Sequence, residues 1–232
     1  MTMDIDLLAL LQGKPSLVDQ TRPQLGGVTL GVVTDTDDTL GLGRVKVKLP
    51  WLSDTMESAW ARIAVPWAGQ GMGSYFLPEV DDEVMVAFRH GDLRHPYIVG
   101  FLWSAKAKPP EATPRAGRRE LRSKSGHKLQ FDDLAGKERV ALHSKGGHRV
   151  VLDDTSGGAK LTIADSAGKL SITLDVSKGA ISIEATSGDI TLRAPAGKIS
   201  LQASNVEITS TQTATLKGQG GVTINGSTVR IN

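Results

Sequence analysis

Hydrophobic and polar positions divide the 232-residue chain into stretches with different rhythms. Over residues 1–26 one short amphipathic helix is predicted, about Asp4 to Gln12, with Leu7, Leu8, Leu10 and Leu11 apolar and Gly13 and Pro15 ending it. The stretch is too short for a domain and reads as an arm or docking peptide. Over residues 27–103 the period is two. Arg44-Val45-Lys46-Val47-Lys48-Leu49 alternates polar and apolar residues, the pattern of a strand with one buried face. Residues 28–34, 62–65, 83–88 and 97–102 are also strand-like, separated by polar, Gly- and Pro-bearing turns such as Asp35-Thr36-Asp37-Asp38. Five short strands with no clear helix predict a small Greek-key barrel such as an OB-fold. All four tryptophans, Trp51, Trp60, Trp67 and Trp103, lie here and are expected to supply its apolar area.

Residues 104–120, rich in Lys and Arg and carrying Pro109, Pro110 and Pro114, read as a linker or neck. Beyond it, residues 121–232 repeat an apolar pair separated by one residue. The pairs are Leu129/Phe131, Val140/Leu142, Val150/Leu152, Leu161/Ile163, Ile172/Leu174 and Ile181/Ile183. They continue as Ile190/Leu192, Ile199/Leu201, Val206/Ile208, Ala214/Leu216, Val222/Ile224 and Val229/Ile231. Successive pairs start 11, 10, 11, 11, 9, 9, 9, 7, 8, 8 and 7 residues apart, so the spacing tightens toward the C-terminus. Both members of a pair point to one face of a strand, and Gly, Ser, Asn or Asp between pairs supply turns.

A strand with two inward side chains cannot make a core alone and must stack on others. A single-chain parallel β-helix needs longer coils with more apolar positions. The minimal pair therefore favours three chains about one axis, their strands interwound and pairing with neighbouring chains throughout. Only one aromatic residue, Phe131, occurs in this stretch, as a crowded axis requires. The expected trimer core is Ile172, Leu174, Ile181, Ile183 and Ile190, continuing through Leu192, Ile199, Leu201, Val206 and Ile208. The expected fold class is all-β: an N-terminal OB-fold barrel followed by a C-terminal interwound trimeric β-helix, a β-prism spike. Its expected divisions are 1–26, 27–103, 104–120 and 121–232.

Charge adds little. The formal net is +2, made of −5 over residues 1–103, +5 over 104–154 and +2 over 155–232. Opposite charges are interspersed in the basic stretch, which reads as a solvated face. Cysteine is absent, excluding a disulfide framework or thiolate metal site. No run approaches the roughly 20 apolar residues of a membrane span. Asp4 and Asp6 precede the leucines where a secretory signal carries positive charge, so no signal peptide is expected.

Candidate chemistry is sparse. Asp132-Asp133 and Asp153-Asp154 are adjacent on a strand and face opposite ways, so neither pair makes an acid/base couple; they read as turn residues. His127 and His148 read as turn or stacking residues, with a threefold histidine cluster as the minor alternative, and no histidine follows His148. No catalytic residue, cofactor or metal site is expected. Nucleic-acid binding needs aromatics interleaved with a basic groove, and the Trp-bearing stretch is acidic.

Several motifs together resemble a known family. They include Gly31-Val32-Val33-Thr34-Asp35, Leu42-Gly43-Arg44-Val45-Lys46-Val47, Trp60-Ala61-Arg62-Ile63, Pro66-Trp67-Ala68-Gly69, Gly73-Ser74-Tyr75-Phe76-Leu77-Pro78-Glu79-Val80 and Pro96-Tyr97-Ile98-Val99-Gly100. Residues 28–103 resemble the OB domain of phage baseplate assembly protein V and valine-glycine-repeat (VgrG) spike proteins. The repeated stretches from Ser125-Gly126-His127 to Asp132-Asp133 and from Gly146-Gly147-His148 to Asp153-Asp154 resemble the neck of such spikes. Asp81 stands where the family usually has glycine.

The resemblance implies a homotrimeric central spike of a contractile, phage tail-like injection apparatus, beside tail tube and baseplate components. It implies a structural protein and not an enzyme, touching the target membrane only transiently as it pierces the envelope. A separate hub protein is expected, since only 26 residues precede the barrel. Leu7, Leu8, Leu10 and Leu11 would help dock that hub, and Val222, Ile224, Val229 and Ile231 would seat a PAAR-type tip protein. Assembly is expected in the bacterial cytoplasm. The alternative is a trimeric adhesin or tail-fibre-like surface-binding protein.

Overall fold

The computed structural model describes residues 26–110 and 117–230, which fold into β-strands and irregular segments apart from one 3-10 turn at Arg89–Gly91. The chain divides into two compact units between Arg118 and Arg119.

The first unit is a small barrel. Its strands are β1 (Val28–Asp35), β2 (Lys46–Lys48), β3 (Arg62–Ile63), β4 (Ala68–Gly69), β5 (Met72–Gly73), β6 (Glu83–Phe88) and β7 (Pro96–Leu102). Five form one sheet in the order β2-β1-β6-β7-β3, while β4 and β5 make a separate hairpin. The β3–β7 pair is parallel and the other pairs of that sheet are antiparallel. An antiparallel bridge between Val45 and Ala61 joins the two ends of the order and closes the ring. Register shifts between Val33 and Asp35 and between Met85 and Val86 bend the strands that must curve.

Alternation places one residue in two inside. Val33, Val45, Val47, Ala61, Val84, Val86 and Ile98 are fully enclosed, with Leu49 beside them. The wall is tight at Gly31, where a Cβ would stand 2.7 Å from Val86 Cγ2. The expectation that tryptophans fill this core is corrected. Trp51, Trp67 and Trp103 are exposed and Trp60 is half-buried. The bore is filled mainly by valines with Ile98, Leu49 and Ala61, and the tryptophans sit at strand ends outside it. Trp60 instead lies under two cations, Lys46 at 4.9 Å and Arg44 at 5.6 Å from the ring centre.

Asp38 organises the loop after β1. Its carboxylate accepts hydrogen bonds from the Arg44 guanidinium at 2.7 and 2.9 Å and from the amides of Leu40, Leu42 and Arg44. The Arg44 bonds, aided by those amides, hold its carboxyl far below the usual range against the opposing effect of desolvation. Asp81 has φ 75°, the left-handed turn conformation that glycine adopts most easily.

The second unit is a seven-stranded antiparallel meander in the order β14-β13-β12-β11-β10-β9-β8. Its strands are β8 (Arg118–Arg122), β9 (Lys128–Asp132), β10 (Arg139–His143), β11 (Arg149–Asp153), β12 (Lys160–Ala164), β13 (Leu170–Asp175) and β14 (Ala180–Ala185). Each strand pairs with its sequence neighbour. Interwinding throughout the repeat is therefore corrected: turns of about five residues reverse the chain, and these strands find their backbone partners in the same chain. Residues 186–230 differ. No strand pairing occurs among them within the chain, and local bonds such as Gly197 N–H to the Ala194 carbonyl, 3.2 Å, mark isolated turns.

Candidate functional site

The repeated apolar pairs come into register across the meander. Val140 stands opposite Phe131 and Leu152, Leu161 opposite Leu152 and Leu174, and Leu174 opposite Ile181. Leu142 likewise faces Leu129 and Val150, Ile163 faces Val150 and Ile172, and Ile172 faces Ile183. Two parallel ladders of aliphatic side chains run up one face. Nothing among the described residues covers them: from Ile172 to Ile208 the expected core residues are 37% to 81% exposed. The opposite face is the better covered one, with Gln130 at 3% and Ala141 at 2%. A sheet whose apolar face is the wetter one is incomplete as a single chain.

Of the expected core, the sheet brings Ile172, Leu174, Ile181 and Ile183 together. It leaves Ile190, Leu192, Ile199, Leu201, Val206 and Ile208 on the extended segment without a neighbouring strand. Val222, Ile224 and Val229 are exposed on the same segment. Ile231 and the arm leucines Leu7, Leu8, Leu10 and Leu11 lie outside the described residues. Sequence reasoning started the core at Ile172, yet the ladders begin at Leu129 and Phe131. The same spacing marks those earlier pairs, so the signal was present.

The turns stack into two edges. On one, the Ser123 hydroxyl accepts the His127 amide at 3.0 Å and the Ser144 hydroxyl accepts the His148 amide at 3.1 Å. Asp165 plays the same part in the next turn, accepting the Leu170 amide at 2.9 Å. His127 Nδ1 accepts the Lys145 amide at 3.2 Å, tying one turn to the next. Gly147, with φ 87°, allows the third turn to approach: a Cβ there would meet Ser166 Cβ at 2.9 Å.

On the other edge the aspartate pairs organise turns. Asp132 accepts from Gln130 and Arg139, both at 2.7 Å, Asp133 pairs with Arg119, and Asp153 accepts the Thr155 amide at 2.9 Å. Asp175 accepts from Ser177 and Lys178, which bring its carboxyl to about 2. His143 is held below the ordinary imidazole value, first by burial and then by Lys128, Arg139 and Arg149. Among the described residues no group of three or more His, Asp or Glu could hold a metal ion, and no helix is long and apolar enough to cross a membrane.

The barrel carries an open groove of about 600 Å³ whose lining includes Trp67, Met72, Tyr75 and Phe76 and no Lys or Arg. Aromatics without cations suit protein contact better than a nucleic-acid strand.

A family model for the injector OB domain of type VI secretion systems and phage baseplates matches residues 29–103. Those residues are the closed barrel just described. They form an injector OB domain. Similarity to spike proteins covers a longer stretch than the family-model match. Type VI secretion system spike protein VgrG3 of Vibrio cholerae is 34% identical over 135 residues, covering 52% of this chain and 13% of that protein. Actin cross-linking toxin VgrG1 of Vibrio cholerae is 30% identical over 137 residues, 53% of this chain and 12% of that protein. Spike protein VgrG2a of Pseudomonas aeruginosa is 31% identical over 110 residues, 43% of this chain and 13% of that protein. The matched stretches, 43% to 53% of this chain, are longer than the family-model match over residues 29–103. The chain thus spans a small part of the length of these relatives, and its likeness is to VgrG-type spikes.

Proposed function

We propose that the chain is the central spike segment of a contractile, phage tail-like injection apparatus and works as a homotrimer. Three copies turn their ladders inward around one axis, each giving two side chains per strand to a shared core. Over residues 186–230, where the chain supplies no strand partner, the three chains interwind and pair with one another. The core then runs from Leu129 through Ile172, Leu174, Ile181, Ile183, Ile190, Leu192, Ile199, Leu201, Val206 and Ile208. The role is mechanical and non-enzymatic: a prism with satisfied backbone pushed through a target envelope.

One observation carries the reading: an injector OB domain is followed by a sheet whose apolar face is uncovered and a long extended segment with unpaired backbone. Each buried residue needs its amide and carbonyl paired, and only further copies of the same repeat match the spacing. The injector OB domain favours a spike over an adhesin. The arm leucines, Leu7, Leu8, Leu10 and Leu11, would help seat the barrel on a separate hub protein. Val222, Ile224, Val229 and Ile231 would seat a PAAR-type tip protein. Assembly with baseplate components would take place in the bacterial cytoplasm.

Light scattering on the purified chain tests the trimer. Three times the 24.6 kDa chain mass is expected, persisting on dilution to micromolar protein; a monomer would sink the proposal. Deleting Thr228 and the residues after it is expected to abolish binding of the cognate tip protein while the trimer survives.

A further inference from the structure

We propose that the two turn edges of the meander dock on each other between copies, the basic turns of one copy fitting between the carboxylate-bearing turns of the next. The inference rests on the trimeric reading and says how its first section is joined. Strands β8 to β14 are backbone-paired within the chain, so the sheets of three copies meet at their turn edges, not through shared strands. Rotation about a threefold axis cannot bring like edges together. It sets one edge of each sheet against the opposite edge of the next.

The two edges differ in charge. The edge made by turns 123–127, 144–148 and 165–169 carries Lys124, Lys128, Lys145, Arg149 and Lys169 against Asp165 alone. The edge made by turns 133–138, 154–159 and 176–179 carries Asp132, Asp133, Glu138, Asp153, Asp154 and Asp175 against Lys137, Arg139, Lys160 and Lys178, with Arg118 and Arg119 of β8 at the same end, so it is near neutral where the other edge is basic. Lys145, Lys169 and Asp154 are exposed and make no ion pair among the described residues. Height decides the pairing. Turns on one edge lie between strands joined by turns on the other, so the edges are offset by one strand spacing, about 4.8 Å. With the three sheets level, the Lys145 turn lies between the neighbour's turns bearing Glu138 and Asp154. The Lys169 turn lies between those bearing Asp154 and Asp175. Lysine side chains span such offsets. Exposed pairs of this kind add little affinity but set register and handedness of docking.

A zero-length carbodiimide, which joins an amine to a carboxylate only in contact, tests this on the full chain. Within one chain Lys145 and Asp154 stand at opposite ends of five-residue β11, about 17 Å apart at roughly 3.3 Å per residue, so any link between them joins two copies. Light scattering comes first. A monomer overturns the trimeric reading and this inference together. For a trimer, covalent dimers and trimers are expected on a denaturing gel. Peptide mapping should then place the links between Lys145 or Lys169 and Glu138 or Asp154. The double variant Lys145→Gln, Lys169→Gln should lose these products while still scattering as a trimer. A trimer that gives no such links, or links unaffected by the double variant, overturns the edge docking and leaves the trimer standing.

Discussion

The barrel and the meander obey the same alternation and end in opposite states. In the barrel, Val33, Val47, Val84 and Val86 point into a ring closed by the Val45–Ala61 bridge, and water is gone from them. In the meander, Ile163, Ile172 and Ile183 line up equally well across neighbouring strands, yet more than a third of each stays exposed. Closure is what separates them. A curved five-stranded sheet meets itself, while a meander of five- and six-residue strands meets nothing among the described residues to fold against. The first region closes its core on itself; the second leaves its own ladder exposed.

The sharpest break of that comparison is a charge in the ladder. Ile172→Asp would put one carboxylate per chain beside the proposed axis, three in all, with no cation opposite. An unpaired buried charge costs about 4–5 kcal/mol per chain or more. Scattering should fall to the single-chain mass while the emission of Trp60, held under Lys46 and Arg44, stays native. A stable trimer of this variant would mean that the ladders do not face one another.

A gentler pair of substitutions separates closed from open cores. Val84→Ala, deep in the barrel, should cost about 2 kcal/mol, a loss that does not vary with protein concentration. Ile172→Ala should cost a similar amount per chain, but the midpoint of its unfolding should move with concentration, as association and folding are linked there. Chemical unfolding at two concentrations, followed by fluorescence and by scattering, distinguishes the two. Equal concentration dependence in both variants would mean that the barrel, too, is completed by other copies.

Much of this contrast was legible in the sequence, and the limits are physical. Arg44-Val45-Lys46-Val47-Lys48-Leu49 announced a half-buried strand because polar and apolar residues alternate, and Val45, Val47 and Leu49 are indeed inside. The paired spacing of Ile172 and Leu174 announced one apolar face. It did not say whose strand lies alongside, because a ladder has the same period whether its neighbour is the next strand or another chain. The hint lay between the pairs. Where pairs start 10 or 11 residues apart, turns such as Ser144 to His148 fit and the chain reverses. The chain still reverses across the 9-residue interval from Ile172 to Ile181, and it is only past Ile183, at intervals of 9 falling to 7, that no strand pairs within the chain. The tryptophans misled because bulk suggests a core, and a bore lined by valines leaves no space for an indole. Asp38 was read as one of several turn residues; its grip on Arg44 depends on a loop path that composition does not reveal.

Acid should find the meander before the barrel. Burial, Lys128, Arg139 and Arg149 hold His143 below the ordinary imidazole value, only partly opposed by Glu120. The folded state thus binds this proton less readily than the unfolded chain. The resulting stability is present above about 6.5, the ordinary value, and is lost as pH falls from there toward the depressed folded value. Asp38 in the barrel has the same sign, but its window opens below its ordinary value of 3.8. Thermal unfolding between pH 7.5 and 5 should show a falling midpoint for the repeat and a steadier one for the barrel. His143→Gln should flatten the former; an unchanged slope would show that another group governs it.

The smallest effect is expected at a single turn. Asp81 holds φ 75° between Val80 and Asp82, with its amide donating to the Val33 carbonyl at 2.9 Å. That bond ties the turn before β6 to β1, so the left-handed geometry is imposed by the barrel and is kept whichever residue sits there. A Cβ in this conformation costs about 1–2 kcal/mol for most residues, and less for aspartate. Glycine removes that strain but loses more freedom on folding, an opposing effect of roughly 0.5–1 kcal/mol. Asp81→Gly should therefore stabilise the barrel by well under about 1 kcal/mol, with no concentration dependence. Asp81→Val, which keeps the Cβ and adds branching, should destabilise it by more than the glycine variant gains. Unfolding midpoints of the two variants against the parent decide the matter. A stabilising valine would mean that the turn relaxes out of the left-handed region and that the bond to Val33 does not fix it.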